Sequence, residues 1–249
     1  MLLAVLMLQL ALPLPPATGQ DAKARFTECI GLAGADPEKA EAAALEWQGE
    51  GGGYLARQCR GVALSNQGKW DAAAGAFEEA AREADAVKEG RSPDFWAQAG
   101  NAWLAAGDAG KARAALDTAI DSGALLGVAL GEAHLDRGRA RVAAGDLEGA
   151  RSDLDRATTH AADNPLAWLL SATLARRMTD LARADKDIKE ALRRSPEDAS
   201  IQLEAGNIAA LRDDLVNARA AWSRVIELAP GSPQANAARK GLDQFGAEQ

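Results

Sequence analysis

The chain has 249 residues, 47% of them apolar, with 36 acidic and 28 basic side chains and a net charge of −8. The apolar share suffices for a continuous core, and an acidic balance without a long basic run excludes nucleic acid as partner, because phosphate binding needs clustered lysine and arginine. Alanine is abundant and no stretch alternates β-branched with polar residues over a strand length, so the expected fold class is all-α.

Met1 to Leu12 is uncharged and apolar except for Gln9, and Pro13, Pro15 and Pro16 break the run. It is too short to span a bilayer core of roughly 30 Å. Ala17, Thr18 and Gly19 suit a cleavage site before Gln20, so residues 1–19 read as a secretory signal peptide, although no Lys or Arg precedes the run. The alternative, a buried amphipathic helix, lacks a polar face. No cysteine follows the run to take a lipid anchor. The mature chain is therefore expected to be periplasmic or secreted, without a stable membrane anchor.

Residues 20–53 read as a degenerate first helix pair. Phe26, Cys29 and Ile30 share one helical face. Asp36-Pro37-Glu38 starts a second helix, with Asp as cap and Pro in the first turn, continued by Ala40, Ala44 and Trp47. Gly49 and Gly51 to Gly53 end it.

From there a beat sets in. Gly61, Gly100, Gly138, Ala172 and Gly206 follow one another at spacings of 39, 38, 34 and 34 residues. Twelve residues after each stands alanine (Ala73, Ala112, Ala150, Ala184, Ala218), and four further on a large apolar residue (Phe77, Leu116, Leu154, Ile188, Trp222). A period near 34 built from small and large apolar residues predicts stacked helix pairs. The small residue lets two helices approach, and the large one fills the gap. Trp70, Ala73, Phe77 and Ala80 form one amphipathic stripe of a returning helix. Polar residues 85–92 lengthen one connection and account for the 39-residue spacing. Residues 233–245 form one more amphipathic helix, with Ala237, Leu242 and Phe245 inward, which covers the apolar end of the stack. Trp47, Trp70, Trp168 and Trp222 are read as core.

Cys29 and Cys59 each stand two residues before a glycine, Gly31 and Gly61. If Gly31 opens a degenerate repeat, the two thiols sit at one position on neighbouring helices. In an oxidising compartment that predicts a disulfide, worth about 3 kcal/mol for a loop of roughly 30 residues. The alternative is two buried free thiols.

The beat resembles the tetratricopeptide repeat, with its pattern Trp-x2-Leu-Gly-x2-Tyr … Ala-x3-Phe-x2-Ala … Pro. Trp96, Gly100, Trp103, Gly107, Ala112, Leu116 and Ala119 fit it in the second full repeat, and Pro196 and Pro230 stand at its closing position. Arg60, Arg137 and Arg141 depart from it at positions the family fills with apolar or aromatic residues. They predict either loose packing or side chains that snorkel to the surface. The resemblance implies a right-handed solenoid of antiparallel helix pairs, with five repeats over residues 54–232 and a C-terminal capping helix and tail over 233–249.

It also implies that the first helices line a concave groove. Groove positions include Gln98, Asn101, Asp136, Arg139, Leu169, Thr173, Arg176, Glu204 and Asn207. Asn101 and Asn207 follow the small residue of their repeats and would hydrogen-bond an extended peptide, and Arg139 and Arg176 would meet a carboxylate. The plainer reading is that all are ordinary solvated groups. The groove positions hold no lysine, which argues against the carboxylate clamp of one subset of the family. No catalytic residue, cofactor or metal site is expected: His134 and His160 show no nucleophile or acidic partner at a telling distance, two cysteines with distant histidines do not make a zinc site, and Glu78-Glu79 and Asp213-Asp214 read as solvated pairs. The expected function is a non-enzymatic protein-binding scaffold of the cell envelope. The alternative is an assembly factor of a cell-division or cytochrome c maturation type.

Overall fold

The structure, a computed structural model, describes residues 19–246. The expected signal peptide therefore lies, apart from Gly19, outside the described residues. Within them the chain forms thirteen helices and no strand. The first pair is α1 (Gly19–Ala35) with α2 (Pro37–Gly49). Then come α3 (Gly53–Asn66) with α4 (Trp70–Ala86), and α5 (Ser92–Ala106) with α6 (Ala109–Asp121). They are followed by α7 (Gly127–Ala143) with α8 (Leu147–His160), and α9 (Pro165–Arg177) with α10 (Leu181–Arg194). The last pair is α11 (Ala199–Leu211) with α12 (Leu215–Leu228), closed by α13 (Pro233–Gly246).

Each helix packs on its chain neighbours, and first helices also meet across pairs: α1 on α3, α5 on α7, α9 on α11. The first helices therefore stand on the inner side of the stack. None of the described helices is long and apolar enough to cross a membrane.

The caps and turns repeat as strictly as the cores. The side-chain oxygens of Asp36, Asp108, Asp146, Asp180 and Asp214 each accept a backbone N–H at the start of a second helix. The turn before each of α4, α6, α8, α10 and α12 holds one residue with positive φ. Gly68, Gly107 and Gly145 supply it at +72°, +84° and +81°, and Thr179 and Asp213 take the same place at +62° and +59°. Those five positions keep the spacing of the small residues.

The small–large pairing is a steric necessity. A Cβ added at Gly61 would lie 2.5 Å from Phe77, one at Gly100 2.5 Å from Leu116, and one at Gly206 2.5 Å from Trp222. At Gly138 the approach to Leu154 is looser, 3.3 Å. Gly100→Leu is expected to force Leu116 off its site and destabilise by about 1–3 kcal/mol. A urea midpoint equal to that of the parent would refute the close-approach account.

Two inward assignments need correction. Trp70, expected in the core, is instead 38% exposed at the first position of α4. On α13 the buried alanines are Ala235 and Ala238, packed with Leu242 and Phe245, while Ala237 faces out. The apolar face runs i, i+3, i+7, i+10 from 235, one step away from the phase expected. Trp47 and Trp222 are buried and Trp168 is half-buried.

Cys29 and Cys59 form a disulfide between α1 and α3, with Cα atoms 6.1 Å apart. Ala44 of α2 packs against it, with Phe26 and Ile30 alongside.

Candidate functional site: the groove of the first helices

Over the N-terminal half of the groove runs a trough of about 700 Å3 spanning α1, α3, α5 and α7. Its apolar lining includes Phe26, Ile30, Val62, Phe95, Leu125 and Ala129. Three of the sequence-predicted residues, Gln98, Asn101 and Asp136, line it. The Asn101 amide donates to Asp136 at 2.8 Å, and Arg139 donates to the other Asp136 oxygen at 2.8 Å. Gln58 and Gln98 reach each other at 3.5 Å.

Arg139 and Thr173 lie instead at a smaller concavity of about 190 Å3 between α7, α8 and α9, with Val142, Leu154, Leu170 and Leu174. Further along, the predicted groove residues bond to one another. Arg176 makes a bidentate bond to Glu204, at 2.7 and 3.2 Å, and Glu204 is buried. Asn207 donates to Glu204 at 3.5 Å and accepts the indole N–H of Trp222 at 3.2 Å. Leu169 packs against the core of the α9–α10 pair. Arg176, Glu204 and Asn207 of the predicted set are thus bonded to one another and to Trp222. A third concavity, between α10, α11 and α12, holds Arg212, Asp185, Arg224 and Glu197, which pair among themselves.

Sequence reasoning missed the ionic interior of the two central pairs. His134 and Asp153 are buried, and His134 Nδ1 lies 2.8 Å from Asp153 Oδ1. Because an ionised carboxylate only accepts, the imidazole hydrogen belongs on Nδ1. Arg137 donates to both Asp153 oxygens at 2.8 to 3.2 Å and reaches Asp117 at 2.8 Å. Arg141 adds a contact to Asp153 at 3.2 Å. Burial alone would raise the Asp153 pKa, but the bonds from His134 and Arg137 outweigh it and hold it below the ordinary value. Burial likewise opposes the Arg137 charge, and its bonds to Asp153 and Asp117 raise its pKa overall. The ring of His160 lies near-parallel to that of His134, with centroids 6.5 Å apart.

These facts correct two expectations. His134 does have an acidic partner, and Arg137 neither packs loosely nor snorkels. In the next pair, Ser171 donates to Asp187 at 2.5 Å and accepts from Arg151 at 2.6 Å. Asp153 and Asp187 stand just before the large residue of their repeats, where the other three repeats carry Ala76, Ala115 and Ala221. Their partners Arg137 and Ser171 stand just before the small residue. That paired departure from alanine was the available signal. Arg60, at the same position, has no such aspartate opposite it, and its Nε is buried without a hydrogen-bond partner. The Glu78-Glu79 pair is not idle either: Glu78 accepts from Trp103 Nε1 at 2.8 Å and from Arg82 at 2.6 Å. Asp214 caps α12.

Among the described residues no group of His, Cys, Asp and Glu is placed to hold a metal ion.

Stacked helix pairs with a small residue on the first helix, a large one on the second and a lined inner face define an α-solenoid of repeats. The tetratricopeptide repeat family matches residues 60–125 and 169–233, together just over half of the chain, and the protein belongs to that family. No protein of curated function matches it in sequence. Among solved structures, PilF of Pseudomonas aeruginosa is similar over 92% of this chain and 97% of its own, with a TM-score of 0.74 at 14% identity. PilW, a type IV pilus biogenesis factor, is similar over 88% and 98%, with a TM-score of 0.74 at 17% identity. YrrB, a repeat protein with an unusual peptide-binding site, is similar over 86% and 97%, with a TM-score of 0.57 at 17% identity. At these identities the likeness is one of fold.

Proposed function

We propose that this chain is a non-enzymatic scaffold of the cell envelope that binds a segment of another protein in the groove of its first helices. The observation that carries this reading is the trough over α1, α3, α5 and α7, an apolar concavity bordered by hydrogen-bonding side chains. Location outside the cytoplasm is supported by the apolar run of residues 1–12, read as part of a signal peptide, and by the Cys29–Cys59 bridge, since disulfides persist in oxidising compartments. The His134–Asp153 pair does not support catalysis, because the two side chains are 3% and 1% exposed and closed off from a substrate. The second reading, an assembly factor of an envelope complex, is favoured by the likeness over nearly whole chains to PilW. It keeps the cell-division and cytochrome c maturation types beside the pilus type.

The test is crosslinking capture from an envelope extract with the whole protein, beside a variant carrying Gln98→Ala, Asn101→Ala, Asp136→Ala and Arg139→Ala. Arg176 and Asn207 are left intact because they brace Glu204 and Trp222. A partner held by the parent and lost by the variant is the expected result. Equal capture by both would move the binding site out of the groove.

A further inference from the structure

We propose that the trough over α1, α3, α5 and α7 takes the apolar face of a cationic amphipathic helix. This rests on the groove reading above and adds the chemistry of the partner.

The first argument is charge. Two of the carboxylates in the trough, those of Asp94 and Glu132, make no hydrogen bond or ion pair among the described residues. A third, Asp136, is shared between Asn101 and Arg139. The one cation among the described residues of the lining, Arg91, lies over the rings of Tyr54 and Phe95, 5.5 and 5.4 Å from their centroids, and 3.6 Å from Glu89. The uncommitted charge at the trough is therefore negative. In the C-terminal half of the groove the charges at Arg176 and Glu204 already satisfy each other. The net charge of −8 reinforces the sign by steering cations toward the surface.

The second argument is apolar surface. The trough floor is apolar, and beside Leu125 and Ala129 in the chain stand Leu126 and Val128, 76% and 60% exposed. Apolar surface thus continues past the trough, and none of the described residues covers it.

The third argument concerns the backbone. The walls are helices, whose own main-chain groups are bonded internally. An extended peptide would find no ladder of partners on them. A helix brings its backbone bonds with it and presents only side chains. At roughly 10–12 Å across, it would lay one face into a cavity of about 700 Å3 and leave basic flanks at the acidic rim.

The probe is a labelled synthetic peptide of roughly 18 residues, long enough to hold a helix. It carries leucine at i, i+3, i+4 and i+7 spacing and lysine elsewhere, and a control carries glutamate for every lysine. Binding to the purified protein is read by fluorescence anisotropy at about 0.1 M salt. The lysine peptide is expected to bind about tenfold or more tightly than the glutamate peptide, with an advantage that shrinks as salt rises. In Asp94→Lys/Glu132→Lys the preference should vanish or invert, with helical content unchanged. Ala129→Trp, which fills the trough from an exposed position, should weaken the lysine peptide at least tenfold. If the glutamate peptide binds the parent as well, if neither peptide binds it, or if the double lysine variant keeps the preference, the inference is overturned. Where Ala129→Trp still weakens binding in such a case, the groove reading stands without its charge. Binding that Ala129→Trp leaves untouched overturns both.

Discussion

Asp153→Ala is expected to destabilise the protein by about 3–5 kcal/mol, more than any single substitution on the groove. The carboxylate is 1% exposed and is bonded by His134 and Arg137, with Arg141 in contact. Removing it leaves the buried Arg137 with Asp117 alone and strands the His134 N–H. Adding Arg137→Ala should restore part of the loss, since a repeat with alanine at both positions is what Ala99 and Ala115 already provide one pair earlier. Urea midpoints of the parent, both single variants and the double variant give the coupling; strict additivity would show that the contacts do not act as a unit. The dependence on pH follows from the lowered Asp153 pKa. A group whose pKa falls on folding contributes its stability above its unfolded value, about 3.9, and loses it as pH drops from there through the folded value. The difference in stability between parent and Asp153→Ala should therefore be level near neutrality and shrink below about pH 4.

Loss of the Cys29–Cys59 bridge, by reductant or by Cys29→Ser with Cys59→Ser, is expected to lower stability by about 3 kcal/mol. The bridge joins α1 to α3 across a sequence separation of 30 residues. Because helices contact only near neighbours, the effect should fall on the N-terminal pairs. Hydrogen exchange would show faster exchange in α1, α2 and α3, with α9 to α12 unchanged. Equal urea midpoints with and without reductant would mean that the bridge contributes nothing to stability.

The repeat was legible because each element of it answers a steric demand. Glycine at 61, 100 and 206 is the residue that clears Phe77, Leu116 and Trp222, and the aspartates before the second helices cap them. Alanine and glycine at fixed intervals therefore carried the architecture whole. Charges were harder to read. Aspartate is a helix cap at 146, a half-buried partner of Lys189 and Arg212 at 185 and a buried acceptor at 153 and 187. The residue type is the same, and what differs is a partner 16 residues earlier on the facing helix. Position counting also placed Arg176 and Asn207 toward the groove without showing that Glu204 and Trp222 already hold them. Trp70 misled because a stripe drawn along α4 includes its first residue, which is left 38% exposed.

The two ends of the stack are closed in different ways. At one end a covalent bond ties α1 to α3, and at the other α13 lies on α12 and α11 through side-chain packing and the hydrogen bonds Arg219 to the Phe245 carbonyl and Gln234 to Ser200, with no covalent link. Among the described residues every substantial contact joins helices one or two places apart in the chain, so none of the described segments holds a distant pair shut. Such an array zips and unzips along its length, and the free energy needed to open a pair depends on which neighbour it has already lost. Fraying should therefore start at α13 and run toward α9, pausing at the ion-paired aspartates. The trough, nearer the cross-linked end, stays formed until late, and a chain clipped or partly melted at its C-terminus keeps that part of its surface.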